Sequence, residues 1–216
     1  MNWLINNLEE VGGYLLTHTL LSASAIVAAA VLSVPLGRLA VGSRRFGGVL
    51  LGAFALLYAV PSLPMLVVIP VILGVPVRSP LNMVIVLTLY GISVLVTQVA
   101  EAFRSLPQDV IEAANALGLD PWRRFWKVEL PLAVPVLIAG LRVVAASTVS
   151  LVTVGALVGV QSLGTLFTDG FQRQLVESLL TGLCATLLLA LVFDLAIVLL
   201  GRVLTPWFRE RKKVTT

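Results

Sequence analysis

The sequence predicts an all-α integral membrane protein, a single transmembrane domain over residues 1–216 built on five transmembrane helices. Of 216 residues, 58% are hydrophobic and only 12% are charged, against roughly 45–50% and about 25% in soluble domains. The mean hydropathy is +1.02. Several nearly charge-free runs exceed the roughly 20 residues that a helix needs to cross the hydrocarbon core.

The five stretches follow in order. The first is Tyr14 to Gly37, YLLTHTLLSASAIVAAAVLSVPLG, uncharged apart from His18. No Lys or Arg precedes it, so it lacks the basic n-region of a cleaved leader and is expected to be a retained span. The second runs from Phe46 to Val77, the third from Ser79 to Ala100, the fourth within Val143 to Thr168 after an apolar lead-in from Leu130, and the fifth from Ser178 to Gly201 with one acid, Asp194.

The second stretch is the ambiguous one. Its length corresponds to about 48 Å of helix, and Pro61 and Pro64 could mark a turn between two spans. The charges arbitrate. With five spans and the N-terminus outside, the inner segments hold Arg38, Arg44 and Arg45, then Arg104, Arg123, Arg124 and Lys127, then Arg202, Arg209, Arg211, Lys212 and Lys213. That places twelve basic residues inside against Arg78 and Arg173 outside, with Arg142 near a membrane edge. Six spans with the same inner C-terminus give nine against five, a poorer fit to the positive-inside rule. Phe46 to Val77 is then expected to be one long, tilted or kinked span. Backbone groups freed near Pro61 and Pro64 would find partners on neighbouring helices or in water. The basic tail from Arg209 to Thr216 reads as an anchor at an anionic leaflet.

The composition also narrows the chemistry. One histidine, His18, and one cysteine, Cys184, cannot supply a zinc site, an iron–sulfur cluster or a disulfide. No metal, no cofactor and no catalytic residue are expected in this chain. The net charge of +4 and pI of 9.7 reflect orientation in the membrane rather than nucleic-acid binding.

One long polar connection, residues 101–131, joins the third and fourth spans on the inner side. Ser105 and Gln108 have capping-box spacing with Pro107 in the first turn, and Gly118 stands where a helix-ending glycine belongs. A helix over Leu106 to Leu117 is expected. A second begins at Asp120 and Pro121 and must end near Pro131. Its Trp122, Phe125, Trp126 and Leu130 share a face, with Arg123, Arg124 and Lys127 beside them, the pattern of a helix on a membrane surface. Ala113, Ala114 and Ala116 give the first helix a slim profile with Glu112 as a lone late carboxylate. On physical grounds it is either a docking element for a partner or a plain connection.

The segment EAANALGLDPWRRFWKVELP, Glu112 to Pro131, resembles the EAA loop of the membrane subunits of bacterial ABC importers. Glu112, Ala113, Ala114, Gly118, Leu130 and Pro131 all keep the motif's spacing, with Val128 in its aliphatic place. Ala59–Leu66 (AVPSLPML), Pro135–Val144 (PVLIAGLRVV) and Val158–Gln172 (VGVQSLGTLFTDGFQ) are similar to the permeases for glycine betaine, carnitine, choline and related osmoprotectants. The resemblance implies a permease subunit in a bacterial cytoplasmic membrane, with ATP and Mg held by separate cytoplasmic ATPase subunits, and an extracytoplasmic substrate-binding protein. It also implies a second permease, identical or paralogous. Gln161-Ser162-Leu163-Gly164 in place of a Gly-Gly-Leu-Gly run resembles systems with two different membrane subunits. An amino-acid or methionine permease of the same superfamily is the alternative, and a self-contained channel or secondary transporter a more distant one.

The resemblance gives the loop residues their expected role, and physical arguments give the others theirs. Glu112, Ala113, Ala114, Gly118, Leu130 and Pro131 are the ATPase-coupling candidates. A quaternary ammonium favours aromatic faces, so Tyr58, Pro61, Ser62 and Tyr90 are candidates for the translocation path. Asp194 is expected to pair structurally, with Arg142 or Arg202, and His18 to hold an interfacial hydrogen bond near the outer end of its span. Gly48-x-x-x-Gly52 and Gly155-x-x-x-Gly159 would permit close helix contact between subunits.

Overall fold

A computed structural model describes residues 2–42 and 44–206, so Trp207 and the basic tail lie outside the described residues. Its helices are α1 (Asn2–Asn6), α2 (Leu8–Gly42), α3 (Arg44–Ala59), α4 (Ser62–Leu73), α5 (Pro80–Arg104), α6 (Gln108–Ala116), α7 (Pro121–Arg124), α8 (Leu130–Val154), α9 (Leu163–Gln172) and α10 (Val176–Leu204). Among the described residues α2, α5, α7–α8 and α10 are long and apolar enough to span, and α3 with α4 passes the same test as a bent pair, which counts as a fifth span when the two are taken as one.

The first span is longer than its hydrophobic run. Glu9 and Glu10 occupy the first turn of α2, where the helix dipole favours acids. Ser22, Ala25, Ala29, Ser33, Gly37 and Ala40 are buried at three- and four-residue spacing, a strip of small residues that admits a close neighbour. That neighbour is the central helix α5, and a Cβ on Gly37 would lie 2.6 Å from that of Val99. His18 lies on the same face but is fully buried, not interfacial. Its Nε2 donates to the Val149 carbonyl of α8 at 3.0 Å.

The second span is broken rather than tilted or gently kinked: α3 and α4 meet at 112°. Pro61 has no N–H to continue α3 and excludes the helical region for Val60, and it takes the extended conformation (φ −61°, ψ 140°). The Val60 carbonyl, which Pro64 has no N–H to meet, accepts a hydrogen bond from the Tyr90 hydroxyl of α5 instead. The first half of α4 and the connection after it are tied to α5 by Asn82, which is fully buried and donates to the carbonyls of Leu66 (3.0 Å) and Val77 (2.9 Å). Asn82→Ala strands both carbonyls and should cost about 2 kcal/mol. A thermal-unfolding midpoint equal to wild type in detergent would refute that role.

The fourth span lies earlier than Val143–Thr168. It is α8, Leu130–Val154, and the apolar lead-in is its first half. Pro131 does not end the preceding helix. A π-helical turn over Phe125–Glu129 widens the spiral, with the Leu130 N–H bonding the Phe125 carbonyl five residues back, so the proline ring is accommodated and α7 runs on into α8. Residues 155–168 instead form a 3₁₀ turn over Gly155–Val158, a left-handed Gly159, and the start of α9. Ser162 caps α9, its hydroxyl accepting from the Gly164 N–H at 3.1 Å while the Thr165 hydroxyl accepts from its own N–H at 3.2 Å. Gly155 and Gly159 therefore do not form a helix-contact pair. Arg142 sits in the middle of α8 rather than at an edge, and it makes a bidentate pair with Asp194 of α10 at 2.6 and 3.0 Å.

Candidate functional site

Two candidate sites emerge. The first is the connection 101–131. Helix α6 starts at Gln108, with Pro107 rather than Ser105 at the N-cap. Ser105 instead closes α5, its hydroxyl donating to the Ala102 carbonyl at 3.0 Å, because α5 runs on to Arg104 and takes the serine for its own last turn. At the other end the Gly118 N–H bonds Asn115 O (2.9 Å) and the Leu119 N–H bonds Ala114 O (3.2 Å). This is a Schellman closure, and it needs the left-handed φ of +74° at Gly118. Asp120 then caps α7 through the N–H groups of Trp122 and Arg123 at 3.0 and 2.9 Å.

Helix α6 turns Ala114 inward and leaves Glu112, Ala113, Ala116 and Gly118 exposed. Leu117, which sequence reading passed over, is 81% exposed beside them. The result is a small surface with Asp109 and Glu112 as its carboxylates and only Ala113, Asn115 and Ala116 exposed between Glu112 and the helix end. Leu130 and Pro131 are not on this surface. They form the first turn of α8, and Leu130 packs against the core that holds Phe103, Leu106 and Ile111.

An ion network joins that surface to the bundle. Glu129 is 4% exposed. It accepts from Arg38 Nε of α2 and from Arg124 Nε, both at 2.8 Å. Arg124 reaches on through Nη1 to Asn115 Oδ1 of α6 at 2.6 Å. Arg38 also lies over the Phe103 ring at 5.9 Å. The chain Arg38–Glu129–Arg124–Asn115 thus links the first span, the root of the fourth and the loop helix. Sequence reading missed Glu129, although an acid one residue before an apolar span is a signal in itself.

The second site is a groove of about 450 Å³ at the break between α3 and α4. Tyr58, Pro61, Ser62 and Tyr90 all line it, together with Ser147 and Thr148 of α8, which sequence reading missed. The two tyrosine rings stand edge to face with centroids 6.3 Å apart. The Tyr90 bond to Val60 holds one ring, whereas Tyr58 is exposed to the groove. Two aromatic faces and several hydroxyls on an otherwise apolar wall suit a small solute with a charged or methylated head.

Residues 25–210 match a family described as the binding-protein-dependent transport system inner membrane component. The chain belongs to this family. As an inner-membrane component it is a multi-pass membrane protein in a transport system served by a binding protein. It is 30% identical to the osmoprotectant import permease protein OsmW of Salmonella typhimurium, over 95% of this chain and 97% of the relative. It is 26% identical to the choline transport system permease protein OpuBB of Bacillus subtilis, over 99% of both. The fold matches a chain of the MetNI methionine ABC transporter in inward-facing conformations with a TM-score of 0.79 at 20% sequence identity, covering 90% of this chain and 96% of that one. All of these are named as membrane-transport proteins.

Proposed function

We propose that this inner-membrane component is the permease subunit of an ATP-driven importer of a compatible solute, a glycine betaine-, choline- or carnitine-like quaternary amine. Its N-terminus lies outside and its C-terminus in the cytoplasm. The observation that carries the reading is the exposed face of α6, which is closed by a left-handed glycine and wired to the bundle through Glu129. A slim helix of this shape fits a cleft on a cytoplasmic ATPase. Glu112 makes the polar contact, Ala113 and Ala114 allow close approach, and Gly118 turns the chain out of the cleft. ATP and Mg belong to that ATPase. A second permease, identical or paralogous, completes the path, because one broken and four whole spans cannot enclose a gated route. Salmonella typhimurium has two relatives of this chain named as osmoprotectant import permease proteins, OsmW and OsmY, which favours a paralogous pair.

The transport step is an exchange between two access states biased by ligands at both ends. The solute passes the Tyr58–Tyr90 groove, where cation–π attraction of about 0.5–2 kcal/mol per ring guides a quaternary ammonium. The relatives' names support such solutes over amino acids, and the fold match to a methionine transporter speaks to architecture alone. The test is uptake of radiolabelled glycine betaine, choline and carnitine into proteoliposomes holding both permeases and the ATPase, with and without the binding protein. Uptake that needs ATP and the binding protein is expected. Accumulation of methionine instead would overturn the substrate assignment. Tyr58→Ala should raise the half-saturating solute concentration about tenfold without changing ATPase co-purification, consistent with one lost ring contact. Unchanged uptake kinetics in Tyr58→Ala would remove the groove from the path.

A further inference from the structure

The bundle carries a second, larger groove that the transport reading does not use. It encloses about 980 Å³ between the loop-side half of α2 and the aromatic face of the segment 121–130. One wall is Val31, Val34 and Leu39, and the other is Trp122, Phe125 and Trp126. Arg38 is the only charged residue among those lining it. A shallower depression continues along α2 from Val31 to Ala23, so the two form one apolar trough. From Leu39 to Ala23 it runs about 24 Å along the helix, more than the ~15 Å of a single leaflet's hydrocarbon. Its floor is open to the surroundings, with Val27 at 61% and Val31 at 65% exposure.

The mouth of the trough is cationic. Arg38, Arg123, Arg124 and Lys127 stand there against two carboxylates, Asp120 and Glu129, paired as Arg123–Asp120 (3.3 Å) and as the two arginines on Glu129. Two positive charges are left over, and Arg123 and Lys127 are exposed beside the indoles of Trp122 and Trp126. The excess charge calls for an anion and the trough calls for hydrocarbon. Tryptophans at the rim fit the level of the lipid headgroups.

We infer that this trough is a binding site for an anionic phospholipid of the cytoplasmic leaflet. One acyl chain lies along α2 between Val31 and the Trp122–Trp126 wall, and the phosphate faces Arg123 and Lys127. The inference rests on the proposed reading in placing this end of the bundle in the cytoplasm and in taking α6 as the ATPase-docking helix. Because the aromatic wall also carries Arg124 and Glu129, a bound lipid props the platform on which α6 stands, and the ATPase-docking helix is held by lipid as well as by protein.

The test uses the assembled permease–ATPase complex in vesicles containing phosphatidylglycerol or phosphatidylethanolamine that carries a photoactivatable diazirine midway along one acyl chain. Peptide mapping should place phosphatidylglycerol labelling within residues 30–39 and 121–130, about tenfold above the phosphatidylethanolamine probe. Val31→Trp fills the trough where its two parts meet and should cut the labelling about tenfold. Trp126→Ala removes a wall and should do the same, so the test survives if either variant folds poorly. Arg123→Gln with Lys127→Gln should abolish the preference for phosphatidylglycerol, two surface charges being enough for about a tenfold or greater effect. Equal labelling by both lipids, or undiminished labelling of Val31→Trp and Trp126→Ala, would overturn the site. Loss of the second permease from Val31→Trp, with lipid labelling unchanged, would assign the trough to a protein contact and overturn it too. Failure of the docking reading shows separately, as loss of ATPase co-purification in wild type.

Discussion

Replacing Glu129 with alanine lowers the thermal-unfolding midpoint in detergent by about 5–10 °C and reduces solute uptake at least tenfold, while the chain still co-purifies with its ATPase. Glu129 is 4% exposed and neutralises Arg38 and Arg124 together. Removing one member of a buried ion pair costs about 3–5 kcal/mol, because the remaining charge is left without a partner. Here the two arginines keep 32% and 18% of their side-chain surface in contact with the surroundings, so about 2–3 kcal/mol is the expected loss. In a chain of this size that corresponds to about 2–4 °C per kcal/mol. The functional loss should exceed the stability loss. Arg124 is the residue through which Glu129 holds Asn115 of α6, so without it the docking helix moves independently of α2 and α8. Glu129→Gln retains an acceptor and should fall between. Full uptake by Glu129→Ala at an unchanged midpoint would show that the network transmits nothing.

Most of the bundle was legible because apolar run length and charge position are strong signals in a membrane chain. The first, third and fifth spans follow their hydrophobic stretches to within a few residues, extended by turns that acids and caps can support, such as Glu9 and Glu10 on α2 and Ser79 before α5. The failures share a physical cause: proline was weighed as a local event. Pro131 was expected to stop a helix, and a π turn at Phe125–Glu129 absorbed it, which moved the fourth span some dozen residues toward the N-terminus. Pro61 and Pro64 read from sequence as a kink within one span, whereas α3 and α4 meet at 112°, with Tyr90 of α5 giving the Val60 carbonyl the donor that Pro64 lacks. Neither outcome can be read without the neighbouring helix. The same is true of Glu129, whose two partners are 91 and 5 residues away. The groove was more legible than the ion network because Tyr58, Pro61 and Ser62 are close in sequence, whereas Tyr90 of α5 and Ser147 and Thr148 of α8 arrive from other helices.

Gly118→Asp should abolish uptake with the chain still inserted at the wild-type level, and co-purification with the ATPase should fall more than tenfold. The backbone part of the effect is modest. A non-glycine residue at φ +74° costs about 1–2 kcal/mol, and an added Cβ meets no atom within 4 Å in this chain. Aspartate is among the residues that tolerate this conformation best, so the Schellman turn weakens without collapsing. The larger part is placement. Gly118 is exposed at the C-terminal end of α6 next to Leu117, where the helix dipole is negative, and a carboxylate there is unfavourable before any partner arrives. Inside a protein cleft it would also be desolvated, and Arg124, which reaches Asn115 of the same helix, is already committed to Glu129 and Asn115. Gly118→Asn separates the two contributions. Asparagine keeps the left-handed turn and carries no charge, so it should retain most of the docking and uptake that aspartate loses. If asparagine and aspartate are equally defective, turn strain governs the effect and desolvation of the charge does not. If Gly118→Asp docks and transports like wild type, α6 is a plain connection and the ATPase engages this permease elsewhere.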